Sequence, residues 1–308
     1  MSEARATIAE NSPQKPEGGK LPPNSKMDPN QLEFVVYKGM MMPQLSEPIE
    51  VHVPKVKNFQ LRDSDVLLCS YPKSGTHWLW RVLDMLVRGS AEYSDRFPDN
   101  AMLDLMLTEI IDKVESPRVL ISHFPADLLP EQLKDGGVKV VHVYRNPKAV
   151  MASLFFQMQA TGKMPDLTFQ KLEAMIFSEK APTKNQFYYW DTVTEYEKHN
   201  PQVNIFHIAY EDMKKDTAGS IKKIAEHLGV KASDELCSEI AEAVNFNKQK
   251  QQEEKLGGDL QKSLKFYRKG EVADWKNHLT VAQSERFDQV LKERAATCPF
   301  SRRYCPAE

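Results

Sequence analysis

The 308 residues carry 41 basic and 43 acidic side chains, a formal charge of -2, with 41% hydrophobic and 27% charged residues. This ordinary globular composition can bury one sizeable core and offers no global attraction to nucleic acid or an anionic membrane, so any anion site must be local. Four scattered cysteines, Cys69, Cys237, Cys298 and Cys305, make neither a disulfide framework nor a zinc-ligand spacing, which fits free thiols in a reducing cytoplasm.

Residues 1–30 hold Pro13, Pro16, Pro22, Pro23 and Pro29 among small polar residues, a composition that predicts a flexible extension ahead of one domain over 31–308. No apolar run reaches signal-peptide length or the roughly 20 residues of a membrane span. Strands are predicted at Val66 to Ser70, Arg118 to Ser122 (the weakest), Val138 to Tyr144 and Val203 to Tyr210, each followed by a turn signal and then helix. That alternation predicts an α/β domain with a central parallel sheet flanked by helices.

Helix is predicted from Trp78 to Val87, where Leu79, Val82, Leu83 and Leu86 share one face, and from Ala149 to Met158 behind Pro147. Further helices are predicted at Gly219 to Leu228, Ser233 to Val244 and 281–294, the last with Thr280 and Gln283 as a capping box. The polar segment Lys248 to Gln261, with Gly257-Gly258, reads as a loop over the site.

Between the first strand and its helix lies Tyr71-Pro72-Lys73-Ser74-Gly75-Thr76-His77-Trp78. Backbone N–H groups freed by Gly75 can converge on an anion at the helix N-terminus, with Lys73 adding charge and Ser74 and Thr76 adding hydroxyl donors. The loop suits a phosphate or sulfate. It lacks the upstream glycine of a Walker A motif and places its lysine before the glycine, which counts against ATPases and GTPases.

This octet resembles the Y-P-K-S-G-T-T/N-W signature of the cytosolic sulfotransferase family, with His77 at the atypical position. The resemblance covers about residues 35–295 and implies a P-loop-like phosphosulfate loop, with 3'-phosphoadenosine-5'-phosphosulfate (PAPS) as donor and adenosine 3',5'-bisphosphate (PAP) as product. R-N-P-K-A-V-M-A-S, from Arg145 to Ser153, is similar to the family segment whose Arg and Ser bind the 3'-phosphate. Arg268-Lys269-Gly270 resembles the family's R-K-G triplet for the same phosphate, with Ala273 in place of a glycine.

For the adenine, the resemblance implies Trp78, Phe246 and the hydroxyl of Tyr210, with plain core residues as the lesser alternative for Trp78 and Phe246. Val244 stands where many members have Thr or Ser. The strand-end His123, in L-I-S-H-F-P, is similar to the family's catalytic base; Lys73 would stabilise the leaving oxygen and Ser153 restrain Lys73.

The resemblance carries no metal requirement, and no metal motif is evident. Ile121 stands where phenol-type members often have lysine, which favours aliphatic or steroid-like alcohols. Phe155, Phe156, Phe187, Tyr188 and Tyr189 are available as acceptor-site aromatics, or as core. Lys276, Thr280, Val281 and Glu285 resemble the family's dimerisation motif, though the capping box explains Thr280 locally. Two other classes stay open at this point: a magnesium-dependent nucleotide kinase or NTPase, and a catalytically weak nucleotide-binding protein on the same scaffold, hinted at by His77, Val244 and Ala273.

Overall fold

The computed structural model of the chain describes residues 34–306 apart from 44, 161, 163, 179–183 and 257–267. The predicted extension over 1–30, the Gly257-Gly258 turn and part of the acceptor stretch, 181–183, therefore lie outside the described residues.

An antiparallel hairpin of β1 (Phe34–Tyr37) and β2 (Met40–Pro43) precedes α1 (Ile49–Lys57), and the main sheet begins with β3 (Val66–Ser70) and α2 (Thr76–Arg88). There follow the single turn α3 (Thr108–Ile111), β4 (Val119–Ser122), β5 (Lys139–Tyr144), α4 (Pro147–Ala160), α5 (Phe169–Phe177), α6 (Gln186–His199) and β6 (Ile205–Ala209). The chain continues through α7 (Tyr210–Lys215), α8 (Thr217–Leu228), α9 (Asp234–Ala243), α10 (Phe246–Leu256), α11 (Val281–Arg294) and α12 (Pro299–Tyr304).

The four predicted strands form one parallel sheet in the order β4-β3-β5-β6. Alternation at period two sends Leu67, Cys69, Leu120 and Val140 to one face and Val66, Leu68, Ile121 and Val141 to the other. On the first face they meet Val53 and Val56 of α1, Met151 of α4, Trp190 of α6 and Phe287 of α11. On the second they meet Leu79, Leu83 and Leu86 of α2, Ile221 and Ile224 of α8, and Ile240 of α9. Both faces being covered explains why the strands read as continuous apolar runs, all five residues of β3 being buried.

Helix ends follow local chemistry. Asp216, Ser233 and Thr280 cap α8, α9 and α11, and the predicted box of Thr280 with Gln283 is formed. The loop expected from Lys248 is instead helical to Leu256 in α10. Its run of Lys, Gln and Glu is good helix material with no breaker before Gly257, so polarity alone misled the expectation.

Below the strands, Arg118 and Asp65, the residues just before β4 and β3, form a two-pronged ion pair with wholly buried side chains, Nε to Oδ1 at 2.9 Å and Nη2 to Oδ2 at 2.5 Å. Asp65 also accepts from the backbone N–H of Arg62. The pair ties two neighbouring strands at the end away from the site.

The order β4-β3-β5 places successive crossovers on opposite sides of β3. In such sheets the crevice opens at the carboxyl ends of the strands where the winding reverses. The 71–75 loop leaves β3 at that point.

Candidate active site

A cavity of about 690 Å³ opens there. Lys73, Gly75, Thr76, His77, Trp78, His123, Arg145, Ser153, Tyr210, Phe246, Arg268, Lys269 and Gly270 all border it, residues drawn from across about two hundred positions of chain. Two residues named from the sequence for the donor do not. The Ser74 side chain is fully buried behind the loop, its hydroxyl without a hydrogen-bond partner, and its N–H turns back to the Tyr71 carbonyl. The Val244 side chain packs in the core beneath α2; only its carbonyl serves the site, accepting from the Trp78 indole at 3.0 Å.

The loop owes its shape to two left-handed residues, Lys73 at φ 69° and Gly75 at φ 105°. A Cβ on Gly75 would lie 2.6 Å from Tyr210 Cδ2, so glycine both allows the turn and admits the tyrosine ring. Gly75 caps α2 without a side chain, leaving the first-turn N–H groups of that helix for another partner. Thr76 Oγ1 lies 2.7 Å from Ser70 Oγ. Burial, and then the charge of Arg145, bring the Lys73 ammonium down to about 7.

His123 follows β4. Its Nδ1 lies 2.7 Å from the Ser70 carbonyl, to which it must donate, so Nε2 carries the ring's lone pair. Its backbone N–H donates to both oxygens of Asp104, at 3.0 and 2.7 Å, and Asp104 also accepts from Ser122 Oγ at 2.8 Å. Burial raises the Asp104 carboxyl against the pull of those partners. Sequence reasoning missed Asp104; it arrives because the strandless segment at Met102 bridges to Ile121 on β4.

Beside the loop, Arg145 lies 4.3 Å over the Tyr210 ring and donates to the Lys73 carbonyl at 3.2 Å, while its Nε is buried without a partner. Arg268 and Lys269 reach the buried Asp274, which also accepts from Asn277 and His278 and whose carboxyl is held far below its usual range by these bonds, against its desolvation. Gly270 has φ 70°, and a Cβ there would lie 2.4 Å from Phe246 Cδ2. Trp78 meets Tyr210 edge to face at 5.4 Å, and Lys214 Nζ sits 5.4 Å from the Trp78 ring. Lys214 was also missed.

Cations and aromatic rings thus share one cavity, Lys73, Arg145, Lys214, Arg268 and Lys269 with Trp78, Tyr210 and Phe246. Geometry of this kind suits a ligand with two anionic ends and a flat base. Elsewhere the cavity has an apolar stretch of Phe124, Met158, Met164, Leu172, Met175 and Ile176. Tyr188 and Tyr189 line it, whereas Phe155 and Phe187 are core, and Phe156 packs under Arg268 at 4.2 Å. Ile121 is buried in the sheet and gives the cavity no side chain. His77 lies 3.6 Å from Asp99, and burial with the charges of Lys73, His123 and Arg81 brings its imidazole down to about 3. Lys276, Thr280, Val281 and Glu285 are exposed, Val281 at 74%.

Among the described residues no three His, Cys, Asp or Glu side chains gather to hold a metal ion, and no helix is long and apolar enough to cross a membrane. The sulfotransferase domain profile matches residues 63–299. The chain is 30% identical over 293 residues to the amine sulfotransferase of Oryctolagus cuniculus, covering 89% of this chain and 94% of that protein. It is 32% identical over 257 residues to cytosolic sulfotransferase 1 of Danio rerio, covering 78% and 85%. The crystal structure of mouse sulfotransferase SULT7A1 complexed with PAP superposes with a TM-score of 0.69 at 26% identity, over 87% of this chain and 97% of that one.

Proposed function

The chain belongs to the sulfotransferase family, and from that premise we propose that it transfers the sulfuryl group of PAPS to a hydroxyl or amine of a small apolar acceptor, with His123 as general base. It is a PAPS-dependent transferase with PAP as the second product. The cavity's own features fit that donor: glycine cradles at 75 and 270 that any Cβ would fill, and a buried Arg145 Nε in want of an acceptor.

In this reading the 71–76 loop and the start of α2 hold the phosphosulfate, and Arg145, Arg268, Lys269 and the Gly270 N–H hold the 3'-phosphate. Trp78 and Phe246 flank the adenine, and Tyr210 contacts it. His123 Nε2 takes the proton of the attacking hydroxyl as sulfur passes in line to the acceptor oxygen, a contribution of about a hundred- to ten-thousandfold in rate. Lys73 offsets charge growing on the bridging oxygen, and Ser153 restrains Lys73 beforehand.

The observation that carries this reading is one cavity uniting the oriented His123 imidazole, Lys73 and the Arg145, Arg268 and Lys269 cations. The apolar walls support alcohols, phenols, steroids or amines, and the rabbit relative's name supports amines. Likeness to the zebrafish cytosolic enzyme supports a cytoplasmic location. The test is PAPS-dependent sulfonation of an acceptor panel without magnesium, with His123→Ala losing at least about a hundredfold in kcat while binding PAP within about threefold of wild type. Full turnover by that variant would remove His123 from the role.

We also read Lys276, Thr280, Val281 and Glu285 as a homodimer contact. Light scattering should give twice the chain mass at micromolar concentration; monomer throughout would dismiss the contact.

A further inference from the structure

Asp104 borders the cavity, is only 5% exposed, and has no part in the chemistry assigned above. Both its oxygens accept from the backbone N–H of His123, at 3.0 and 2.7 Å, and Oδ1 also takes the Ser122 hydroxyl at 2.8 Å. The segment that carries it is no strand, so tertiary bonds must fix it. The preceding residue, Leu103, is held at both backbone groups. Its N–H donates to the Ile121 carbonyl at 2.8 Å, and its carbonyl lies 2.7 Å from Nε2 of the fully buried His52 on α1. His52 Nδ1 lies 2.9 Å from Glu47 Oε1, while Glu47 Oε2 holds Lys55 at 2.6 Å. Each nitrogen of the His52 ring thus faces an acceptor, a geometry that places a hydrogen on both.

Resting on the assignment of His123 as general base, we propose that Asp104 is its positioning residue: the carboxylate anchors His123 through the backbone N–H and stabilises the imidazolium formed when Nε2 takes the acceptor proton. Two jobs are divided here. The ring is oriented by the Ser70 carbonyl, 2.7 Å from Nδ1, but a carbonyl brings no full charge to the cation that forms. Asp104 brings one. As the proton moves from acceptor oxygen to Nε2, that oxygen bonds to sulfur, and the bond from sulfur to the bridging oxygen breaks with its electron pair staying on the phosphate of PAP. His123 gains a positive charge in the same step, and an opposite charge held beside it in a buried site favours that state.

The titratable groups facing Asp104 are His52 of α1, Cys69 of β3, Tyr189 of α6 and His123 itself. Burial and then the Asp104 charge push the Cys69 thiol up; burial, Cys69 and Asp104 do the same for the Tyr189 phenol, so both stay neutral. Desolvation raises the Asp104 carboxyl, and against it stand the charges of His123 and His52 and the hydrogen bonds from His123 and Ser122.

NMR of the PAP-saturated chain, with isotope-labelled histidine and aspartate, follows the His123 ring and the Asp104 carboxyl between about pH 5 and 8. In the wild type Asp104 should be ionised at neutral pH, and its carboxyl resonance should move as His123 gains its proton. A carboxyl that is protonated there, or one blind to the His123 titration, overturns the proposal without any variant. Asp104→Asn keeps an acceptor for Ser122 and the His123 N–H but removes the charge. It should move the His123 titration to lower pH and reduce kcat at least about tenfold, with PAP and acceptor affinities within about threefold of wild type. An unmoved titration in that variant, or a loss confined to KM, overturns the proposal and leaves the proposed function standing. Full turnover by His123→Ala, or absence of PAP binding by the wild type, would instead remove the premise.

Discussion

Raising the pH should weaken donor binding through one side chain. Lys73 is buried beside Arg145 and titrates near 7 in the ligand-free protein, far below its ordinary 10.5. Because the folded value is depressed, its stabilising contribution to the empty protein is present above 10.5 and lost as pH falls through about 7. An anion at the 71–76 loop reverses the preference and favours the ammonium. If binding restores the ordinary value, then at about pH 8.5 the lysine passes from about 3% to about 99% protonated, an uptake of about one proton. PAP affinity then falls about tenfold per pH unit between about 7 and 10.5. Calorimetry of PAP binding at that pH, in buffers of different ionisation enthalpy, reads the uptake directly, since both phosphates of PAP are already fully ionised there. Lys73→Met should abolish both the uptake and the slope. An uptake below about a third of a proton in the wild type, with affinity constant across this range, would refute the reasoning.

Gly270→Ala should weaken PAP binding at least about tenfold in a titration, because the added carbon both strains a backbone at φ 70° and meets the Phe246 ring at 2.4 Å. Asp65→Asn should cost about 3–5 kcal/mol, read as a lowered midpoint in urea unfolding, since it leaves the wholly buried Arg118 guanidinium short of its counter-charge.

The strand runs were legible because both sheet faces are covered, so β3 and β5 read as short, largely apolar runs, interrupted within β5 only at His142. Helix starts were legible at Ser233 and Thr280, where a side chain makes the cap, whereas the caps Thr168 and Asn185 of α5 and α6 went unread. Helix α1 was missed; it carries Pro54 in its interior, which ordinarily argues against helix. Among site residues, those next to strand ends or glycine turns could be named from neighbours in the chain. Asp104, Asp99 and Lys214 could not, because each reaches the cavity by packing rather than by a local motif. Val244 and Ser74 erred in the opposite direction: their positions adjoin the site, but both side chains are buried away from it.

The carboxylate of Asp274 gives the site a counter-ion of its own. In the ligand-free protein Arg268 and Lys269 already share a partner, so their mutual repulsion does not have to be overcome by the arriving nucleotide. The same arrangement bears on departure. If these cations hold the 3'-phosphate as proposed, a tethered anion stands within reach to replace it on release. On that assignment, release of a nucleotide carrying two ionised phosphates would not leave two bare cations behind.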